Sequence, residues 1–159
     1  MEQMERLPPS PAEGAPGKRP RDPFGRPLPR GVPTQLQMED FDALATEENL
    51  ALGVAHFNAG RFFAAHEAWE TCWKASADPE ARLCFKGLAQ IAAGYVHLQR
   101  GNLHGASTLL RRGAGHLEAT TCDGALDRRS LIDMALAHAE ELELATRRGV
   151  ALPPPHPRL

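Results

Sequence analysis

Between Arg61 and Lys74 the chain reads RFFAAHEAWETCWK, which brings a histidine, two carboxylates and two tryptophans into a few helical turns. On a helix, residues three and four apart share a face, so His66 and Glu70 project together, and so do Trp69 and Trp73. A carboxylate beside an imidazole can hold a divalent metal when a facing helix adds ligands. The same pair can also close a hydrogen-bonded network without a metal. The run His66-Glu67-Ala68-Trp69-Glu70 differs from the HExxH of zinc proteases by a glutamate where the second histidine would stand. That exchange removes a neutral nitrogen ligand and argues against a protease.

The facing ligands would come from a long helix that carries Gln90 and His97, seven residues apart and therefore on one face. Ala93 and Gly94 lie between them and leave room for the His66 helix to approach. If the faces meet, His66, Glu70, Gln90 and His97 converge, and two arrangements stay open. One is a buried polar cluster that fixes helix register. The other is a divalent-metal site with His66, Glu70 and His97 as ligands and Glu67 as general base on a bound water, the chemistry of a hydrolase. Trp69 and Trp73 read as aromatic anchors of the core. His56, His104, His116 and His138 have no partner that spacing nominates. Cys72 lies six residues from His66 on another side of the helix, and no nucleophile elbow or phosphate loop occurs, so covalent catalysis is unsupported.

The elements that must position these residues are all helical. Thr46 followed by Glu47 and Glu48 is an N-cap signal, and the helix it opens stops at Gly60. The second helix runs from about Arg61 to Ser76. Asp78-Pro79-Glu80 starts a third that reaches Arg100 and stops at Gly101, a length of about 33 Å. Asn102 caps a fourth to about Ala119, weakened by Gly113 and Gly115 unless a neighbour approaches there. After a Cys122-Asp123-Gly124 turn, a fifth spans about Asp127 to Arg148. No strand pattern competes, so the expected fold is all-α, a compact bundle of about five antiparallel helices. A shift of 41 residues lays 50–66 on 91–107 with five identities in 17 positions, among them His56 on His97 and Gly60 on Gly101. The bundle is therefore built on two helix-turn-helix hairpins.

Composition sets the surroundings of this domain, which spans residues 39–149. Nine of the 14 prolines fall in residues 1–38, a Pro/Arg-rich arm expected to be disordered or extended. Residues 150–159 form a proline-rich tail. A net charge of −2 gives no overall pull toward nucleic acid or anionic lipid. No apolar run suits a membrane span or a signal peptide. The three cysteines, odd in number and without CxxC spacing, favour reduced thiols in a cytoplasmic protein. A protein partner or self-association fits this profile; a membrane or nucleic-acid partner does not.

The run FNAGRFFAAHEAWETCWK, the helix KGLAQIAAGYVHLQRGN and the following GASTLLRRGAGHL resemble the bacterial family known as domain of unknown function 309, over about residues 47–118. GRPLPRG is similar to the leader of its actinobacterial members. The resemblance implies a small all-helical bundle with His66, Glu67, Glu70 and Trp73 in a first motif and Gln90, His97, Gly101 and Asn102 in a second. It implies no substrate and no cofactor. The binding or interaction module is the leading reading, and the metal-dependent enzyme is the alternative.

Overall fold

The computed structural model describes residues 19–122, 126–152 and 156–159, in two units that divide after Gln37. The arm before residue 19, Asp123 and Gly124 of the expected turn, and Pro153 to Pro155 of the tail lie outside the described residues. Residues 19–37 hold no helix and one organised turn. Asp22 Oδ1 accepts from the amides of Phe24 (2.9 Å) and Arg26 (2.8 Å), Arg26 Nε donates to Oδ2, and Arg21 forms an antiparallel bridge with Pro27. Burial pushes the Asp22 carboxyl up, but the bonds from Arg26 and Phe24 outweigh it and hold the group below its ordinary value.

The second unit is a bundle of five helices: α1 (Thr46–Asn58), α2 (Phe62–Ala75), α3 (Pro79–Gln99), α4 (Leu103–Glu118) and α5 (Arg128–Arg148). Their ends follow from local chemistry. Asp78 Oδ2 accepts from Ala81 N at 2.8 Å with Pro79 at the first helical position, and Asn102 Oδ1 accepts from Gly105 N at 2.8 Å. Asp127 caps α5 through Ser130 N at 3.1 Å. At α1 the cap position belongs to Ala45 and not Thr46, because the Glu48 carboxylate reaches back to Ala45 N at 3.0 Å and serves the free amide itself. A short 3-10 turn, Phe41–Ala43, precedes α1 and packs Phe41 against Ala64 and Ala68 of α2.

Each helix packs mainly on its neighbours in sequence, as short connections require. One core runs through all five, with Phe57, Trp69, Ile91, Tyr95, Leu110 and Ile132 fully buried. Trp69 reaches this core because Gly53 has no side chain; a Cβ there would lie 2.1 Å from the indole Nε1. Gly94, 41 residues on, makes the same room for Leu110, 41 residues after Trp69. The expected role of Gly94, to admit the His66 helix, is therefore corrected: its missing side chain faces α4. Gly113 does allow close approach, since a Cβ there would meet Ile91 and Gly87 O, whereas Gly115 faces open space.

The hairpin turns repeat in detail. Gly60 and Gly101 take φ of +74° and +75°, a region glycine enters without a Cβ penalty. The amide that follows each donates back to a histidine carbonyl, Arg61 N to His56 O and Asn102 N to His97 O, both at 2.9 Å.

The expectation of three reduced cysteines fails for two. Cys84 and Cys122 form a disulfide with Cα atoms 5.9 Å apart, and only Cys72 is free, buried against Thr46 O. The antiparallel α3–α4 hairpin brings the first turns of α3 level with the chain leaving α4, which closes a gap of 38 residues in sequence. The pairing removes the support that free thiols lent to a cytoplasmic location. Among the described residues, no helix is long and apolar enough to cross a membrane.

Candidate functional site

His66 sits in the second turn of α2 and is docked on α3: its Nδ1 donates to Ala89 O at 3.0 Å. A carbonyl cannot donate, so Nδ1 carries the proton, and in the neutral ring Nε2 presents its lone pair. Glu67 Oε1 lies 3.8 Å from Nε2. His66, Glu67 and Glu70 each offer a ligand atom within 4.8 Å of the others, the one such group of three among the described residues. Their side chains are 25%, 35% and 27% exposed, so the cluster is a surface notch and not a buried network. Glu70 also meets Lys74 Nζ at 3.2 Å.

Among the described residues, no hydrogen bond joins Gln90 or His97 to this cluster. His97 stands at the Gly101 turn, where its Nδ1 meets Asn102 Nδ2 at 2.9 Å, and burial together with the Arg100 charge holds it below the ordinary histidine value. His56 repeats this with Arg61 Nε on its Nδ1 at 2.9 Å, and its Nε2 meets Glu39 at 2.8 Å. Both histidines therefore serve the turns. The Gln90 Oε1 is buried and finds no hydrogen-bond partner among the described residues. Trp69 is a core anchor, but Trp73 is half-buried, with the Arg82 guanidinium 6.0 Å and Lys86 Nζ 5.5 Å from its ring centroid. The two indoles part company because Trp69 turns toward Gly53 of α1 and Trp73 toward the start of α3.

Two further arrangements have no single-residue signature in the sequence. The fully buried Tyr95 hydroxyl meets His138 Nδ1 at 2.5 Å across to α5, and the ring packs on Phe57 and Phe62. Burial holds His138 below the ordinary histidine value, partly countered by Glu141. At the start of α3 a pocket of about 250 Å³ opens between the helices, walled by Leu50, Phe85, Leu88, Leu117, Leu131 and the Cys84–Cys122 bridge. The charged groups at its rim are already engaged. The Thr121 amide and the Thr120 hydroxyl donate to Glu80 and lower its carboxyl, Asp78 caps α3, and Arg128 donates to Leu117 O at 2.7 Å.

The fold and these surfaces define a two-hairpin helical bundle with a polar notch on α2 and an apolar pocket at the start of α3. Residues 50–109 match the family described as Domain of unknown function (DUF309), which supports the placement the motifs gave. The match takes in His66, Glu67, Glu70, Gln90, His97 and both glycine turns, and stops short of α5. No curated protein and no solved structure matches the chain.

Proposed function

We propose that the chain is a non-catalytic binding module that takes a small, neutral, apolar molecule in the pocket at the start of α3. The observation that carries this reading is the pocket itself, about 250 Å³ of apolar-walled space beside the core. A cavity of about 150 Å³ already admits benzene, so a fused ring or a short acyl chain is the right size. The rim favours a neutral ligand, because Glu80, Asp78 and Arg128 already have hydrogen-bond partners within the chain. A charged ligand would have to break one of those bonds.

The test is titration with a neutral naphthalene fluorophore, comparing the wild type with Ala81→Leu, which adds volume to the pocket wall. Saturable fluorescence gain at one site, weakened about tenfold or more in the variant, is the expected result. Absence of saturable binding, or equal binding by both proteins, sinks the reading.

A second reading rests on the His66 notch. Metal-binding histidines generally donate their other ring N–H to a carbonyl or carboxylate, as His66 Nδ1 does to Ala89 O. His66, Glu67 and Glu70 would then supply three ligands and leave a position for water, which is the pattern of a catalytic divalent site. Glu67 would be a ligand in this set and not the general base, and His97 would be outside it. Elemental analysis of untagged protein beside His66→Ala decides it: near-stoichiometric metal, lost in the variant, supports a metal-dependent hydrolase. Metal-free wild type that resists reconstitution rules it out.

A further inference from the structure

The wall of the pocket at the start of α3 includes the disulfide itself. Cys84, in the second turn of α3, and Cys122, four residues past the end of α4, both line it, and so does Thr121. Both cysteines are partly exposed, which leaves the pair within reach of a small thiol. The remaining cysteine, Cys72, is buried in α2, and burial pushes its thiol up to about 11, so it stays protonated and does not compete for either sulfur.

Among the described residues, two attachments fasten 120–122 to α3. One is the bridge. The other is the exposed Glu80 carboxylate, whose Oε2 accepts from the Thr120 hydroxyl at 2.7 Å and from the Thr121 amide at 3.0 Å. Hydrogen bonds in contact with water are individually modest, so the covalent attachment is the stronger of the two. The helices meet without relying on either. One turn further along α3, a Cβ on Gly87 would lie 3.0 Å from Gly113 O, which puts the backbones of α3 and α4 in close contact, and the α1–α2 hairpin closes with no bridge at all. Reduction therefore frees a wall of the pocket and leaves the hairpin core packed.

Resting on the reading of that pocket as a ligand site, we propose that Cys84 and Cys122 form a reversible dithiol–disulfide couple that regulates it, the bridged chain holding ligand and the reduced chain releasing it. In the reductive step a dithiol attacks one sulfur of the bridge as its thiolate, passes through a mixed disulfide and leaves as its own disulfide. The bond between Cys84 and Cys122 breaks, takes up two electrons and two protons, and becomes two thiols. Exchange with a disulfide in the opposite direction restores the bridge. Once Thr121 and Cys122 are free to move off the pocket, ligand surface that they covered returns to water and affinity falls. By linkage, a bound ligand makes the bridge harder to reduce by the same factor.

The test titrates the full chain with the neutral naphthalene fluorophore in oxidised and in reduced dithiothreitol. Alkylation and mass report the state of the pair, and near-ultraviolet circular dichroism reports the fold. Binding about tenfold weaker in the reduced chain, recovered on reoxidation, is the expected result. Saturating ligand should also raise the ratio of reduced to oxidised dithiothreitol needed for half-reduction by about tenfold. Equal binding by both states, or tighter binding by the reduced chain, overturns the proposal and leaves the pocket reading intact. A bridge that resists excess dithiothreitol in the native chain, or a reduced chain that loses its near-ultraviolet signal, overturns it as well, since the pair is then a structural staple. No saturable binding by the oxidised chain removes the pocket reading and the proposal together. Nuclear magnetic resonance without ligand gives an independent check: amide shifts on reduction confined to the first two turns of α3 and to 119–122, with Gly60 and Gly101 unmoved, support a local release, and shifts throughout the bundle overturn it.

Discussion

The two hairpins share a backbone plan and differ on their faces. In α1–α2 and in α3–α4 a glycine of positive φ follows a histidine whose carbonyl accepts from the residue after the turn, and a second glycine admits a large side chain from the next helix. Yet the positions of His66, Glu67 and Glu70 in the first hairpin are held by Ser107, Thr108 and Arg111 in the second, and Trp73 is answered by Ala114. The second hairpin folds without a polar notch at that place. Hairpin geometry thus does not require His66, Glu67 and Glu70, whereas it does require Gly60, Gly101 and the two histidines that close the turns.

The hairpins also close their open ends differently. The second is fastened covalently by Cys84–Cys122, while the first is closed by packing, with the buried Cys72 thiol against Thr46 O. Burial pushes that thiol up to about 11, so it stays protonated and inert at neutral pH. Replacing both Cys84 and Cys122 with serine should therefore give the largest effect, a loss of about 4 kcal/mol from the loop-entropy relation for a separation of 38 residues, read by denaturant unfolding. A loss below about 1 kcal/mol would mean that packing alone closes the second hairpin as it does the first.

The close approaches are predicted to be unequal. A Cβ at Gly53 would meet the Trp69 indole at 2.1 Å, but one at Gly94 would meet Leu110 Cγ at 2.9 Å. Gly53→Ala should cost about 3 kcal/mol and Gly94→Ala about 1 kcal/mol by the same measurement, since a leucine can shift where a packed indole cannot. Equal costs would break the comparison.

Stability should also depend on pH through histidines. His97, His116 and His138 all lie below their ordinary value, with burial the first cause of each. The unfolded chain therefore binds more protons just below about pH 6.5, so the stabilisation is complete above that pH and is lost as pH falls toward the folded values. Melting temperature should drop between pH 7 and pH 5. Tyr95→Phe, which leaves His138 Nδ1 without the hydroxyl, should cost about 1 kcal/mol at pH 7 and, because burial is what holds His138 low, leave that drop in place.

The smallest effect is expected at the notch. His66→Ala should cost about 1 kcal/mol for the bond to Ala89 O, and Glu67→Gln less than about 0.5 kcal/mol. A cost of several kcal/mol for Glu67→Gln would show that the first hairpin depends on its notch after all.

Helix limits were readable where an end is set within four residues by a cap, a proline or a glycine, as Asp78, Pro79, Asn102, Asp127 and Gly60 do, and less so at the start of α1, where the Glu48 carboxylate serves Ala45 N in place of a Thr46 cap. The repeat was readable for the same reason. The site was less so. Periodicity placed Gln90 and His97 on one stripe of α3 but could not say which helix that stripe meets, and the turn claimed His97 through Asn102. The disulfide had a signal that spacing alone does not reveal, since Cys84 and Cys122 come level only once α3 and α4 fold as a hairpin. The Tyr95–His138 contact joins residues 43 positions apart, the bonds of Asn58 to Leu159 join residues 101 apart, and the apolar pocket gathers side chains from Leu50 to Leu131, so no local pattern records them.

Methyl-resolved nuclear magnetic resonance, with the leucines labelled and a neutral aromatic ligand added, tests the central claim most directly. Saturable shifts at Leu50, Leu88, Leu117 and Leu131, with Leu98 and Leu103 at the far end unmoved, are the predicted result. Shifts absent from the first four, or spread evenly over both groups, would contradict a binding module centred on the α3 pocket.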